Sequence, residues 1–218
     1  MFVRSPLVWV GNVDAPYRRG SVPRTVVVCL MGKRSNFERR ERDFYPTPST
    51  AIAPLLPHLP DLFTYVEPCA GNGDLVRGLA AYESVAHDGK FTPILEYASD
   101  IAGSPLYLEM DAFDIGDVSA DLDFFITNPP WSRDVLHPLI IHLCAMAPTF
   151  LLFDADWMHT KQAGPYLKYC RKIVSVGRVK WIAQSPHTGK DNVCWYLFDS
   201  NPKTSPPEFF PQETVVVL

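Results

Sequence analysis

Residues 65 to 76 read YVEPCAGNGDLV. An apolar, β-branched run ends at Glu67, two glycines follow at 71 and 73, and a helical pattern starts near Asp74. Glycine permits positive φ and close approach of backbone to a ligand, and the amides that open a helix attract anionic groups. A strand, a glycine turn and a helix in this order predict the first unit of an α/β sheet, with a ligand at its carboxyl edge. A dinucleotide fingerprint needs a third glycine three residues after the second. Leu75 and Val76 occupy that region, which argues against a pyrophosphate and for a small ligand with a carboxylate and an amino group.

Strand and helix patterns alternate outward from this turn. FTYVEP, PILEYASD, LYLEMD, LDFFITN, TFLLFDAD, KIVSVGRVKWI and NVCWYLFD read as strands. NGDLVRGLAAY, SRDVLHPLIIHLCAMA and TKQAGPYLKYC read as helices, and TPSTAIAPLLPHL as a short helix broken at Pro57. The alternation predicts a doubly wound, mostly parallel seven-stranded sheet with helices on both faces. Only AQSPHTGKD separates the last two strands, too little for a crossover helix, so the last strand should run antiparallel. SNFERRER is expected as a short polar helix. We expect an N-terminal arm over 1–42, a single domain over 43–200 and a tail over 201–218. Met31 begins a stretch that reads like a natural start.

Composition narrows the classes. Hydrophobic residues make up 47% and charged residues 20%, as in a globular domain. No run approaches the ~20 apolar residues of a membrane span, and VVVCLMG lacks a signal-peptide cleavage site. Five cysteines without a C-x-x-C pair, and six scattered histidines, predict free thiols in a reducing, cytoplasmic setting and no metal. The net charge of −4 conceals segregation: residues 1–43 carry a net +5, residues 44–156 a net −13, and residues 157–190 seven cations and no acid. Those seven, Lys161, Lys168, Arg171, Lys172, Arg178, Lys180 and Lys190, offer a basic face to a polyanion; the bland alternative is a solvated face.

Three further strand ends carry chemistry. In ASDI, Asp100 closes the second strand, where a carboxylate can accept from both hydroxyls of a ribose; Glu96, in mid-strand, is the weaker choice. In MDAFD, Asp111 can accept from an adenine amino group while Phe113 packs on the ring. In DFFITNPPWS, Asn128 offers a side-chain carbonyl, Pro129 a backbone carbonyl, and Trp131 a face for stacking. Two acceptors side by side suit an NH2 group. Asp156, Trp157 and His159 follow the fifth strand at the same edge and are candidates for the pocket rim.

These segments resemble class I S-adenosylmethionine-dependent amino-methyltransferases with an Asn/Asp-Pro-Pro-aromatic motif. EPCAGNGD is similar to their cofactor loop and NPPW to their catalytic loop, in the order of the γ-type, short phage-type DNA adenine-N6 enzymes. The resemblance implies the Rossmann-like methyltransferase fold and S-adenosyl-L-methionine as cofactor. It implies catalysis by Asn128, Pro129, Pro130 and Trp131. Tyr45 and Thr47 in FYPTPSTA, Glu67, Pro68, Gly71, Gly73, Asp100, Ile101, Asp111, Ala112, Phe113 and Asn128 would form the cofactor site. The acceptor would be a flipped adenine in DNA, gripped by Trp131, Lys161, Lys168, Arg171, Lys172, Lys180 and Lys190. The same loop serves RNA adenine-N6 or guanine-N2, or a protein glutamine amide, and a module that only binds the cofactor is the non-enzymatic alternative. About 20 residues follow the last expected strand, where γ-type restriction-associated enzymes carry a target-recognition domain.

Overall fold

A computed structural model describes residues 45–85, 91–182, 184, 189, 191–201 and 205–212. The chain divides after Met31, and every described residue belongs to the second unit, Gly32–Leu218. The expected arm over 1–42, with its polar helix, and Lys190 lie outside the described residues.

The strands are β1 (Leu62–Glu67), β2 (Thr92–Asp100), β3 (Leu108–Glu109), β4 (Phe124–Thr127), β5 (Thr149–Asp154), β6 (Cys170–Arg178), β7 (Asn192–Phe198) and β8 (Glu208–Phe210). They form one sheet in the order β3-β2-β1-β4-β5-β7-β6-β8. The pairs from β3 to β5 are parallel, and β7 runs antiparallel to both β5 and β6. The expected sheet is present, with an eighth strand from the proline-rich tail, which pairs parallel with β6.

Alternation on the central strands fills two cores. Leu151 and Phe153 face one side with Phe125, Tyr196 and Phe198; Phe150 and Leu152 face the other with Phe63, Tyr65, Ile126 and Trp195. Helix α3 (Arg133–Cys144) covers the first side through buried Leu136, Leu139, Ile140 and Leu143, and accommodates Pro138. Helix α1 (Ser49–Ile52), a 3-10 run over Ala53–His58 and α2 (Asp74–Val85) cover the second. The helix expected from TKQAGPYLKYC shortens to a 3-10 turn and the four-residue α4 (Gly164–Leu167), because Cys170 already enters β6. Between β2 and β4 no helix forms, only β3 and a 3-10 turn over Ala112–Asp114.

Arg171 departs from its expected role. It is 8% exposed, and its guanidinium donates to the carbonyls of Lys168, Cys170, Asp199 and Asn201. A planar fork of five donors suits such a cluster of carbonyls, which ties the start of β6 to the end of β7. Its donors face the protein, so Arg171 leaves the basic surface.

Candidate functional site

The carboxyl ends of β1, β2 and β4 open into a cavity of about 920 Å³. Of the residues singled out in sequence, Tyr45, Thr47, Glu67, Pro68, Gly71, Asp100, Ile101, Asp111, Ala112, Phe113, Asn128 and Pro130 line it. It lies where an open α/β sheet places ligands, on either side of the reversal from β1-β2 to β1-β4.

Asp100 organises the glycine loop. Its carboxylate accepts from Gly71 N–H at 2.8 Å and from Ala102 N–H at 2.9 Å. Its backbone carbonyl accepts from Met110 N–H at 3.2 Å, so one residue joins the β1 loop, the β2 turn and the approach to Asp111. Asp111 caps the next turn through Phe113 N–H at 3.0 Å, leaving the Phe113 ring 39% exposed at the cavity. Gly73 adopts φ 77° but does not line the cavity; a Cβ there would sit 1.9 Å from the Tyr107 hydroxyl. Its part is to let the loop turn under that ring.

Glu67, at the end of β1, is 2% exposed, and its Oε2 has no hydrogen-bond partner among the described residues. Burial holds its carboxyl well above the usual range, the Asp74 and Asp100 carboxylates add to this, and the Val76 N–H works against it. The native protein therefore keeps a proton that the unfolded chain loses, and this contribution is full below the ordinary value of 4.5. It declines as pH rises toward the native value. Glu67→Gln mimics the protonated form, so the ligand-free variant should melt increasingly above wild type between pH 5 and pH 8. Parallel melting curves at both pH values would contradict this.

The Asn128 side chain is held on both sides. Its Nδ2 donates to the Tyr45 carbonyl at 3.3 Å and to Thr47 Oγ1 at 3.2 Å, and its Oδ1 accepts from Trp131 Nε1 at 3.3 Å. Trp131, expected to offer a face for stacking, is half-buried, packs against both cores, and donates also to the Leu152 carbonyl at 3.1 Å. Its ring meets Trp181 edge-on at 5.6 Å, and Trp181 lies 6.3 Å from the Tyr45 ring. Pro129 is buried. Residues 128–133 form a wall between the large cavity and a second one of about 330 Å³; Ser132 lines both. Trp131, Arg133, Asp154, Trp157 and Asp191 line the second.

Some expected residues stand apart. Trp157 reaches the second cavity, whereas Asp156 and His159 line neither; Asp156 N–H instead donates to Asp154 Oδ1. Lys161, Lys168, Arg178 and Lys180 are exposed outside both cavities; Lys168 lies over the Tyr169 ring and half-buried Lys172 over Phe210. Trp181, Arg133 and Asp191 were missed in sequence. Trp181 was read as part of the expected strand KIVSVGRVKWI, which ends instead at Arg178; an aromatic at the end of that strand was the available signal. Cys69 lines the cavity, but burial, with the Asp100 carboxylate adding, pushes its thiol up to about 12, so it is no thiolate at neutral pH. Among the described residues no cluster of three His, Cys, Asp or Glu could hold a metal, and no helix is long and apolar enough to cross a membrane.

No family model and no curated protein matches the sequence. Among solved structures, one from Listeria monocytogenes assigned to the class I S-adenosylmethionine-dependent methyltransferases aligns at 12% identity with a TM-score of 0.51. The alignment covers 74% of this chain and 64% of that one, so this chain spans less than two thirds of that neighbour. A dimethyladenosine transferase from Plasmodium falciparum aligns at 15% identity and TM-score 0.43, covering 73% and 63% of the two chains. A modification subunit of a type I restriction enzyme from Vibrio vulnificus gives 12% and 0.47, covering 80% and 48%. At such identities the likeness is one of fold, and it rests on the first alignment. The chain has the Rossmann-like methyltransferase fold.

Proposed function

We propose that this chain binds S-adenosyl-L-methionine in the large cavity and transfers its methyl group to the exocyclic N6 amine of a flipped adenine in DNA. One observation carries the reading: the Asn128 amide, at the cavity wall, is oriented by three hydrogen bonds from its own chain. A carbonyl oxygen has two lone pairs, so Asn128 Oδ1 can accept a substrate N–H beside the indole.

The cavity residues fit this cofactor. The buried Oε2 of Glu67, without a partner among the described residues, suits a cationic amino group, which would also draw its carboxyl toward the ionised form. Asp100, at the β2 tip, suits the ribose hydroxyls, and Asp111 with Phe113 suits the base. Thr47, hydrogen-bonded to the Asn128 amide, lines the same cavity. When bound, the cofactor supplies an electrophilic methyl group.

The chain's own work is positioning. An exocyclic amine is a weak nucleophile because its lone pair is delocalised into the ring. Asn128 Oδ1, together with the Pro129 carbonyl that the sequence resemblance implies, would accept its two protons and favour the geometry in which the lone pair is free to attack. No covalent enzyme intermediate is needed, consistent with the protonated Cys69 thiol. A base inside a duplex must leave the stack, at a cost of a few kcal/mol, offset by aromatic surfaces such as Trp131 and Trp181. Exposed Lys161, Lys168, Arg178 and Lys180 would bind phosphates, with salt-sensitive binding as the consequence.

Transfer of tritiated methyl to duplex DNA, single-stranded DNA, RNA and a glutamine peptide, followed by nucleoside digestion, tests the reading. Label in N6-methyladenine from DNA is the expected result. Label confined to RNA or peptide would replace the substrate, and cofactor binding without transfer would leave a binding module.

A further inference from the structure

We infer that Trp131 acts as a positioning residue, through the hydrogen-bond donation of its indole N–H rather than through its ring face alone. The Asn128 amide stands between two groups whose chemistry is one-sided. The indole N–H of Trp131 can only donate, and the Tyr45 carbonyl can only accept. The amide oxygen must therefore face Trp131 and the amide nitrogen Tyr45 and Thr47, so its orientation is dictated by the network and needs no further assignment.

The indole is itself fixed. It shares its N–H between Asn128 Oδ1 at 3.3 Å and the Leu152 carbonyl of β5 at 3.1 Å, and the ring packs against both cores and edge-on to Trp181. The chain of support runs from the central strand β5, through the indole, to the amide carbonyl that receives the substrate. A phenylalanine or a tyrosine presents a ring at this position but no N–H at the indole position. The tryptophan of NPPW is thus specified by its nitrogen as well as by its area. This inference rests on the methyl-transfer reading for its kinetic consequence, while the hydrogen-bond network stands without it.

The test separates ring from nitrogen. Trp131 is replaced, at that position alone, by the benzothiophene isostere of tryptophan, in which sulfur takes the place of the ring N–H and shape and stacking area are kept. Trp131→Phe is made beside it, and melting curves establish that both fold. The isostere should lower kcat by about 10- to 10²-fold, the scale of a small misplacement at a reacting centre, with KM for both substrates within about twofold of wild type. Independently of activity, the Asn128 side-chain amide protons should shift in the NMR spectrum and exchange faster with solvent. An isostere with wild-type kcat and unchanged Asn128 amide resonances would overturn the inference and leave Trp131 as packing or stacking surface. If wild type transfers methyl to no acceptor, the methyl-transfer reading fails; the NMR comparison still decides the positioning role.

Discussion

Asn128→Ala should remove methyl transfer, lowering kcat by about 10³-fold or more, while cofactor affinity measured by calorimetry stays within a few-fold of wild type. The magnitude follows the loss of a preorganised hydrogen-bonding group at a reacting centre, where one such group is worth ~10² to 10³ in kcat. The effect is expected at the upper end because the truncation also removes the acceptor that Trp131 addresses and the donor that ties Tyr45 and Thr47 to the wall. Most of the cavity lining comes from other elements, which is why binding should survive. Wild-type turnover in this variant would show that 128–131 is not the catalytic loop.

Asp100→Ala should act on binding instead, weakening the cofactor by on the order of 10²- to 10³-fold, since hydrogen bonds to a charged group contribute ~1.5–3 kcal/mol each. Two effects combine: the carboxylate is lost as a ligand for hydroxyls, and the Gly71 and Ala102 N–H groups lose the acceptor that shapes the loop. Asp100→Asn, which keeps one acceptor oxygen, should fall between wild type and alanine. Unchanged affinity in Asp100→Ala would move the role to another residue, with Glu96 the sequence alternative.

The parallel half of the fold and the cavity were legible because they depend on local signals. Glycines at 71 and 73, an acid at the β2 tip and a proline pair after β4 each mark a strand end, and a doubly wound sheet brings strand ends together by topology. What was not legible depends on distant closure. Counting charges placed Arg171 on a basic face, but its partners include the carbonyls of Asp199 and Asn201, which reach it only when β6 and β7 pair. Trp131 read as a stacking face, and the hydrogen bond from its N–H to the Leu152 carbonyl of a neighbouring strand could not be read from the motif. The second cavity joins Arg133, Asp154 and Asp191 from three separate segments, which only the assembled sheet brings together. The three-residue β8 lies among prolines, where pattern alone suggests no strand.

The insertion of β7 between β5 and β6 also sets an order of assembly during synthesis. Strand β5 is translated with β4 already available on one edge, but its other edge waits about 40 residues for β7, roughly two to eight seconds at ordinary elongation rates. Through that interval the nascent chain presents an apolar unpaired edge, the kind that invites wrong partners. The Leu152 carbonyl that anchors Trp131 sits on this strand, opposite Trp195. A ribosome stalled before β7 would release a chain whose central strand lacks its second neighbour, even though every residue of the large cavity has been made.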